Sequence, residues 1–266
     1  MASAVVTGAA SGIGRAIATR LSADGWAVVG VDRDQTALDA VVAELHSAVA
    51  VVGDVAERQT HRRARAAATE CGPLGAWVCA AGITRSHDLT RLDEEAVRLI
   101  VDVNQLALLW GAAEAVNEWL ATDTHGTIAV ISSVHARRAF PHHAAYEMTK
   151  AASEALVRSI SVTYGPQGIR AVGIAPGAVA TPALIASLDS AADPAAARRH
   201  LEHQSPAERL AQPGEIAAAV SFLISDQAAY ISGTTLTVDG GWSAVLSRAP
   251  ENPQALRPAA AAGTDA

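Results

Sequence analysis

Seven short runs of almost wholly apolar residues recur along the chain, at 4–6, 27–31, 49–52, 77–80, 127–131, 171–174 and 235–238. Between them lie longer stretches rich in Ala, Leu, Glu and Arg with helical periodicity, at 13–23, 35–46, 57–70, 96–120 and 145–164. A strand with no polar face must be covered on both sides, and parallel neighbours need a crossover of about a dozen residues or more. The pattern therefore predicts a doubly wound α/β domain, with seven parallel strands and helices on both faces. The sequence has no internal repeat of fixed period. One domain over residues 1–247 accounts for the alternation, since 266 residues of which 50% are hydrophobic suffice for one large core. The segment 183–213 interrupts the alternation just beyond a strand end and reads as a partly helical lid. Residues 248–266, rich in Pro, Ala and Asn, read as a disordered tail.

Charge and cysteine content exclude several partners. A net charge of -7 leaves no basic field for gripping a phosphodiester backbone, and Arg62, Arg63 and Arg65 read as a solvated helix face. Cys71 and Cys79 have neither metal-ligand spacing nor the numbers for a disulfide framework, which fits a reducing compartment. The N-terminus has no basic leader, and the longest uncharged stretch, 171–188, carries Pro176, Gly177 and Pro182. A soluble cytoplasmic protein acting on a small molecule is expected, with no membrane or nucleic-acid partner.

Immediately after the first apolar run stands Thr7-Gly8-Ala9-Ala10-Ser11-Gly12-Ile13-Gly14, and a helical stretch follows. Strand, glycine turn and helix in that order bring a pyrophosphate close to backbone amides at a helix N-terminus, the Rossmann arrangement. Asp32 ends the second run eighteen residues after Gly14. A carboxylate there accepts hydrogen bonds from a ribose 2′-hydroxyl and repels a 2′-phosphate, so NAD is expected over NADP. The alternative for Asp32 is a helix N-cap, and Arg33 beside it would tolerate a phosphate.

Tyr146 and Lys150 are four residues apart in Tyr146-Glu147-Met148-Thr149-Lys150, which puts phenol and ammonium on one helix face. A tyrosine with a pKa near ~10 is a poor base, and an adjacent positive charge favours its phenolate. The pair therefore suits proton transfer.

The glycine spacing, taken with this pair, resembles the classical short-chain dehydrogenase/reductase family over nearly the whole chain. The resemblance implies a metal-free oxidoreductase interconverting a secondary alcohol and a ketone, with hydride passing to or from a nicotinamide and Tyr146 as general acid/base. It implies Ser133, thirteen residues before Tyr146, as the catalytic serine that binds substrate oxygen, leaving strand termination and capping to Ser132. Asn104 corresponds to the family's helix asparagine, which holds a water linking Lys150 to solvent. A buried structural hydrogen bond is the alternative at that position. Asp54 and Val55 correspond to an adenine-contacting pair, and Ala80, Ala81 and Gly82 to the end of an Asn-Ala-Gly motif in which Cys79 replaces the asparagine. Pro176, Gly177, Val179 and Thr181 correspond to the Pro-Gly motif that meets the nicotinamide carboxamide, and Tyr146 and Lys150 count among the cofactor contacts. The family also implies a homodimer or homotetramer joined through the helices at 96–120 and 145–164.

His135, His142 and His143 read as polar loop residues that do not assemble a metal site, except that His135, two residues after Ser133, is placed to line the substrate pocket. An anionic substrate follows if Arg137 or Arg138 faces that pocket. Other readings are an NADPH-dependent ketone reductase, an isomerase, dehydratase or epimerase with tightly held NAD, and a non-catalytic dinucleotide sensor. Enoyl reduction is disfavoured because relatives that perform it space Tyr and Lys more widely.

Overall fold

The structure is a computed structural model that describes residues 1–246. The expected tail at 248–266 lies outside the described residues. All seven predicted strands form: β1 Ser3–Thr7, β2 Ala27–Asp32, β3 Ala48–Val52, β4 Leu74–Cys79, β5 Thr127–Ile131, β6 Arg170–Pro176 and β7 Thr234–Val238. They make one parallel sheet in the order β3-β2-β1-β4-β5-β6-β7. The order reverses between β1 and β4, so a crevice opens beyond their carboxyl ends, where ligands bind in such sheets.

Strand alternation sorts the core into two layers. Val5, Val29, Trp77 and Ile128 point to one face, where α3 (Arg58–Cys71), α5 (Ala107–Thr122) and α6 (Ala144–Tyr164) cover them with Ala64, Leu108, Trp119 and Val157. Ala4, Val6, Val28, Val78 and Val172 point to the other face, against Ile17 and Leu21 of α1 (Gly12–Ala23) and Ile216 and Val220 of α9 (Pro213–Ile224). A short α2 (Gln35–Ala43) completes that layer through Leu38. Trp119 also donates its indole N–H to the Leu74 carbonyl at 2.7 Å, so the largest buried ring of α5 has its polar atom satisfied.

Two local features depart from the sequence reading. The single helix expected over 96–120 is α4 (Glu94–Val101), a π turn at Asp102–Leu106, and then α5. This run is long and apolar enough to cross a bilayer, yet its apolar residues Leu108, Ala112, Ala115, Val116 and Trp119 are buried in the core. The arginines of α3 are a charge cluster and not merely a solvated face: Arg58, Arg62 and Arg65 lie 3.5, 3.8 and 3.4 Å from the buried Glu114 carboxylate. A carboxylate taken out of water requires such compensation. Arg63 donates to the Val52 carbonyl. The lid region contains α7 (Pro182–Asp189) and α8 (Pro194–Glu202), neither with a buried residue, and ends where Pro213 opens α9.

The β1–α1 turn is the tightest part of the fold. A side chain on Gly14 would run into the Gly8 carbonyl oxygen, whereas one on Gly165, in right-handed helical conformation, meets nothing within 4 Å. Gly14→Ala should therefore destabilise the protein by about 3 kcal/mol or more, and Gly165→Ala should be neutral or raise stability by about 0.4–1 kcal/mol. Urea unfolding of both variants checks this, and equal effects would contradict it.

Candidate active site

The chain leaves β1 at Thr7 and turns sharply. Gly8 and Ala9 donate to the Val31 carbonyl at 2.8 and 3.2 Å, and Gly8, at φ 71°, lies so close to Ala81 that a Cβ would sit 2.8 Å from its Cα. The Thr7 hydroxyl accepts from the amides of Ala80 and Ala81 at 3.1 and 3.2 Å. Thr7 thus ties β1 to the end of β4, and the loss of an asparagine at Cys79 does not leave these strand ends loose. The Cys79 thiol is buried, and burial pushes its pKa up to about 12. The role of Thr7 was missed in the sequence, although it opens the glycine motif.

Helix α1 starts at Gly12 after Ser11, whose side chain makes no capping bond, so the first-turn amides have no side-chain acceptor from the cap residue. Gly12 lies against the start of α7, where a Cβ would be 3.2 Å from the Thr181 methyl. The glycine turn and the Pro-Gly loop therefore flank one crevice, with Val179 buried and Thr181 capping α7 through the Leu184 amide. Asp32 accepts from the Ala10 amide at 3.1 Å and the Asp34 amide at 3.1 Å. The cap of α2 is Asp34, accepting from the Ala37 amide, so capping does not account for Asp32. Arg33 is exposed. Asp54 accepts from the Ala56 amide, and Val55 is buried with its carbonyl 2.7 Å from His61 Nε2. Open first-turn amides, a glycine cradle and a carboxylate at the end of β2 together fit a dinucleotide.

At the opposite lip, α6 presents Tyr146 and Lys150 from its first two turns. The Lys150 side chain is buried, donates to the Ile131 carbonyl at 2.8 Å and lies 5.5 Å from the centre of the Tyr146 ring. Burial lowers its pKa from 10.5 to about 8. The phenol was expected to shift downward beside this ammonium. In the protein alone it shifts upward, because burial outweighs the hydrogen bond from Ser133.

Ser133, not Ser132, meets Tyr146. It also caps the turn Val134–Ala136 by accepting from the His135 amide at 3.2 Å, a duty the sequence reading gave to Ser132. Ser132 instead donates to the Lys150 carbonyl at 3.3 Å and accepts from Ser153, fastening β5 to α6. Asn104 is fully buried in the π turn. Its carbonyl accepts from the Ile83 amide at 2.8 Å, and its amide donates to the Ile83 carbonyl at 2.7 Å and to Thr149 Oγ1 at 3.3 Å. The structural role that the sequence left open is therefore present. Asn104 is also beside the lysine, since a Cβ on Gly82 would be 3.5 Å from both Asn104 Oδ1 and Lys150 Nζ. π turns inside helices often mark functional positions.

Residues 8–243 match a family model described as enoyl-(acyl carrier protein) reductase. Relatives include 3beta-hydroxysteroid dehydrogenase 1 of Eggerthella lenta, 35% identical over 89% of this chain and 92% of the relative. Cis-4-hydroxycyclohexanecarboxylate dehydrogenase of Sinomonas cyclohexanicum is 37% identical over 91% and 96%. A solved structure of a short chain dehydrogenase/reductase family protein superposes with a TM-score of 0.82 at 32% identity, covering 92% of this chain and 98% of that one. The chain is a short-chain dehydrogenase/reductase. It is an NAD(P)-dependent oxidoreductase of the alcohol dehydrogenase and ketoreductase type, acting on a small molecule.

The substrate side of this dehydrogenase is aromatic. His135 and His143 lie edge-on to Tyr146, with ring centres 5.6 and 6.5 Å away, and Phe140 packs on both imidazoles. The expectation of a plain polar loop residue holds for exposed His142 but not for His143, which packs its ring edge-on against the tyrosine. His135 lines a cavity of about 350 Å³. Burial and the neighbouring His143 lower its pKa, and Glu147, 3.8 Å from Nδ1, opposes this. His87 was missed: its Nε2 accepts from the Ala145 amide at 3.1 Å, capping a helix whose own N-cap residue, His143, makes no side-chain cap. The missing cap residue before Ala144 was the available signal.

The buried ammonium gives a test by linkage. With a folded pKa of about 8 and an unfolded one of 10.5, the unfolded chain binds the extra proton between those values. Keeping Lys150 charged in the fold costs about 3 kcal/mol below pH 8, and that cost fades as pH rises. Relative to Lys150→Met, the wild type should gain about 2–3 kcal/mol of stability from pH 7 to pH 10. A difference independent of pH in paired denaturation curves would contradict the lowered pKa.

Proposed function

We propose that this protein is an NAD(H)-dependent dehydrogenase that interconverts a secondary alcohol and a ketone, with Tyr146 as general acid/base. The buried Lys150 ammonium 5.5 Å from the Tyr146 ring, one turn further along α6, with Ser133 beside the tyrosine, carries this reading. In oxidation the Tyr146 phenolate takes the substrate hydroxyl proton. Ser133 donates to the same oxygen and fixes the carbinol carbon. Lys150 holds positive charge one helical turn away, which stabilises the phenolate, and Asn104 holds the Ile83 segment and Gly82 beside it. In reduction the phenol returns its proton to the ketone oxygen. Bound nicotinamide would supply the hydride acceptor or donor, and its oxidised ring would add positive charge near the phenol.

The cofactor would rest on Gly8, Ser11, Gly12, Ile13 and Gly14 at the turn, Asp54 and Val55 at the adenine end, and Ala81 and Gly82 beyond β4. Pro176, Gly177, Val179 and Thr181 would hold the nicotinamide end, with Tyr146 and Lys150 beneath. NAD is preferred over NADP because Asp32 is freed from capping by Asp34 and stands where a 2′-phosphate would enter. A Tyr-Lys pair on adjacent turns beside a serine favours carbonyl chemistry over enoyl reduction, and an intact proton relay disfavours a sensor. The substrate enters beside His135, under the lid at 183–213. Exposed Leu109, Leu120, Met148 and Val162 on α5 and α6 suit a homodimer or homotetramer, and the free thiols Cys71 and Cys79 suit the cytoplasm.

Titrations followed by nicotinamide fluorescence should show NADH binding roughly tenfold or more tighter than NADPH, with Asp32→Ala removing most of the difference. Tighter NADPH binding would transfer the role to Arg33 and make the protein an NADPH-dependent ketone reductase. Tyr146→Phe should lower kcat roughly 10²–10⁴-fold while NADH still binds. Full activity of that variant would remove Tyr146 from the chemistry.

A further inference from the structure

The cavity of about 350 Å³ beside the catalytic tyrosine has walls of two kinds. Phe140 and Trp242 offer aromatic surface, each in ring contact with His135, which in turn lies against Tyr146. The polar wall consists of Arg138, with Gln204 and His203 from the end of the lid. Arg138 also lines an adjoining space of about 220 Å³ that Ser133 shares. The backbone explains this closeness. The amides of Arg137 and Arg138 both donate to the Val134 carbonyl, at 3.1 and 2.9 Å, so the loop after Ser133 folds into a single turn. That turn keeps the Arg138 backbone close to the Ser133 end of the loop.

The two neighbouring arginines are in opposite electrostatic states. Arg137 is paired with the buried Glu154 carboxylate at 2.8 Å. Arg138 makes one hydrogen bond, to the Ser243 carbonyl at 3.2 Å, and among the described residues has no carboxylate partner. A guanidinium has five N–H donors, so most of its donors remain for a ligand. Two carboxylates stand near the cavity, each beside an imidazole: Glu208 is 3.7 Å from His203 and Glu147 is 3.8 Å from His135.

We propose that Arg138 binds a carboxylate of the substrate, so that the enzyme acts on a hydroxy acid or keto acid whose apolar skeleton lies on Phe140 and Trp242 and whose carbinol reaches Ser133 and Tyr146. Guanidinium and carboxylate are geometrically matched, and the aromatic wall excludes water from the skeleton between the two polar ends. The proposal rests on the dehydrogenase reading for the placement of the carbinol, but the anion site itself is read by binding alone.

The test uses the NADH-loaded full chain and calorimetric titration with hexanoate and cyclohexanecarboxylate, each beside its neutral amide. The acid should bind roughly 10- to 100-fold more tightly than the amide. Arg138→Gln should bring that ratio towards one, Arg138→Lys should retain part of it, and the distant surface variant Arg98→Gln should retain it fully. Equal binding of acid and amide to the wild type, or a ratio unchanged in Arg138→Gln, overturns the proposal. The corresponding hydroxy acids then separate the two readings. Acid-selective binding without nicotinamide turnover upholds the anion site and counts against hydride transfer. Turnover of hydroxy acids and their amides with equal kcat/KM upholds the dehydrogenase and counts against Arg138.

Discussion

The architecture of this protein follows from a parallel sheet whose five central strands are dry on both faces. Strands such as Ala4–Val6 and Val28–Val31 have no polar side to turn to water, so helices must cover both layers, and the crossovers bring all seven strand ends out at the same edge. Chemistry has nowhere else to go. Thr7, Asp32, Ser133 and Pro176 all stand at carboxyl ends of strands, and Tyr146 and Lys150 are delivered to that edge by the helix that follows β5.

At that edge the backbone itself becomes a ligand. The turn after β1 packs so tightly that Gly14 lies on the Gly8 carbonyl and Gly8 on Ala81, and the Thr7 hydroxyl fastens the two strand ends across the switch in strand order. What this close packing leaves open is a helix start with no side-chain cap and a carboxylate at the neighbouring strand end, complementary to a pyrophosphate and a ribose respectively. The site also holds an electrostatic cost: an ammonium in the core that donates to the Ile131 carbonyl and whose pKa is lowered by burial. The phenol beside it is pushed in the unproductive direction by the same desolvation. Burial alone therefore does not prepare the acid/base pair, and a bound oxidised nicotinamide would supply the opposing positive charge.

One loop carries the residues proposed to recognise the substrate. Ser133 ends a strand and caps a single turn, and that turn carries His135 onto the tyrosine and Arg138 into the cavity. On the proposed function, the residue that would bind the reacting oxygen and those that would select the rest of the molecule are held by the same few hydrogen bonds.

The sequence by itself determined the strands, the glycine turn and the Tyr146-Lys150 pair, because these rest on periodicity and short spacing, which are local properties. Asp32 was legible as a carboxylate at a strand end, but only the fold showed that Asp34 relieves it of capping. Long-range contacts decided the rest. That Asn104 sits in a π turn holding Ile83, that Ser133 both caps and meets the tyrosine, and that His87 caps a helix 58 residues away depend on elements brought together in space. So does the division of Arg137 and Arg138 into a paired and an available cation, since the partner Glu154 belongs to a different turn of α6 from any that spacing would suggest. Local rules set which elements form. Packing decides which polar atoms are left for function, because each buried group must first be satisfied by whatever the fold places beside it.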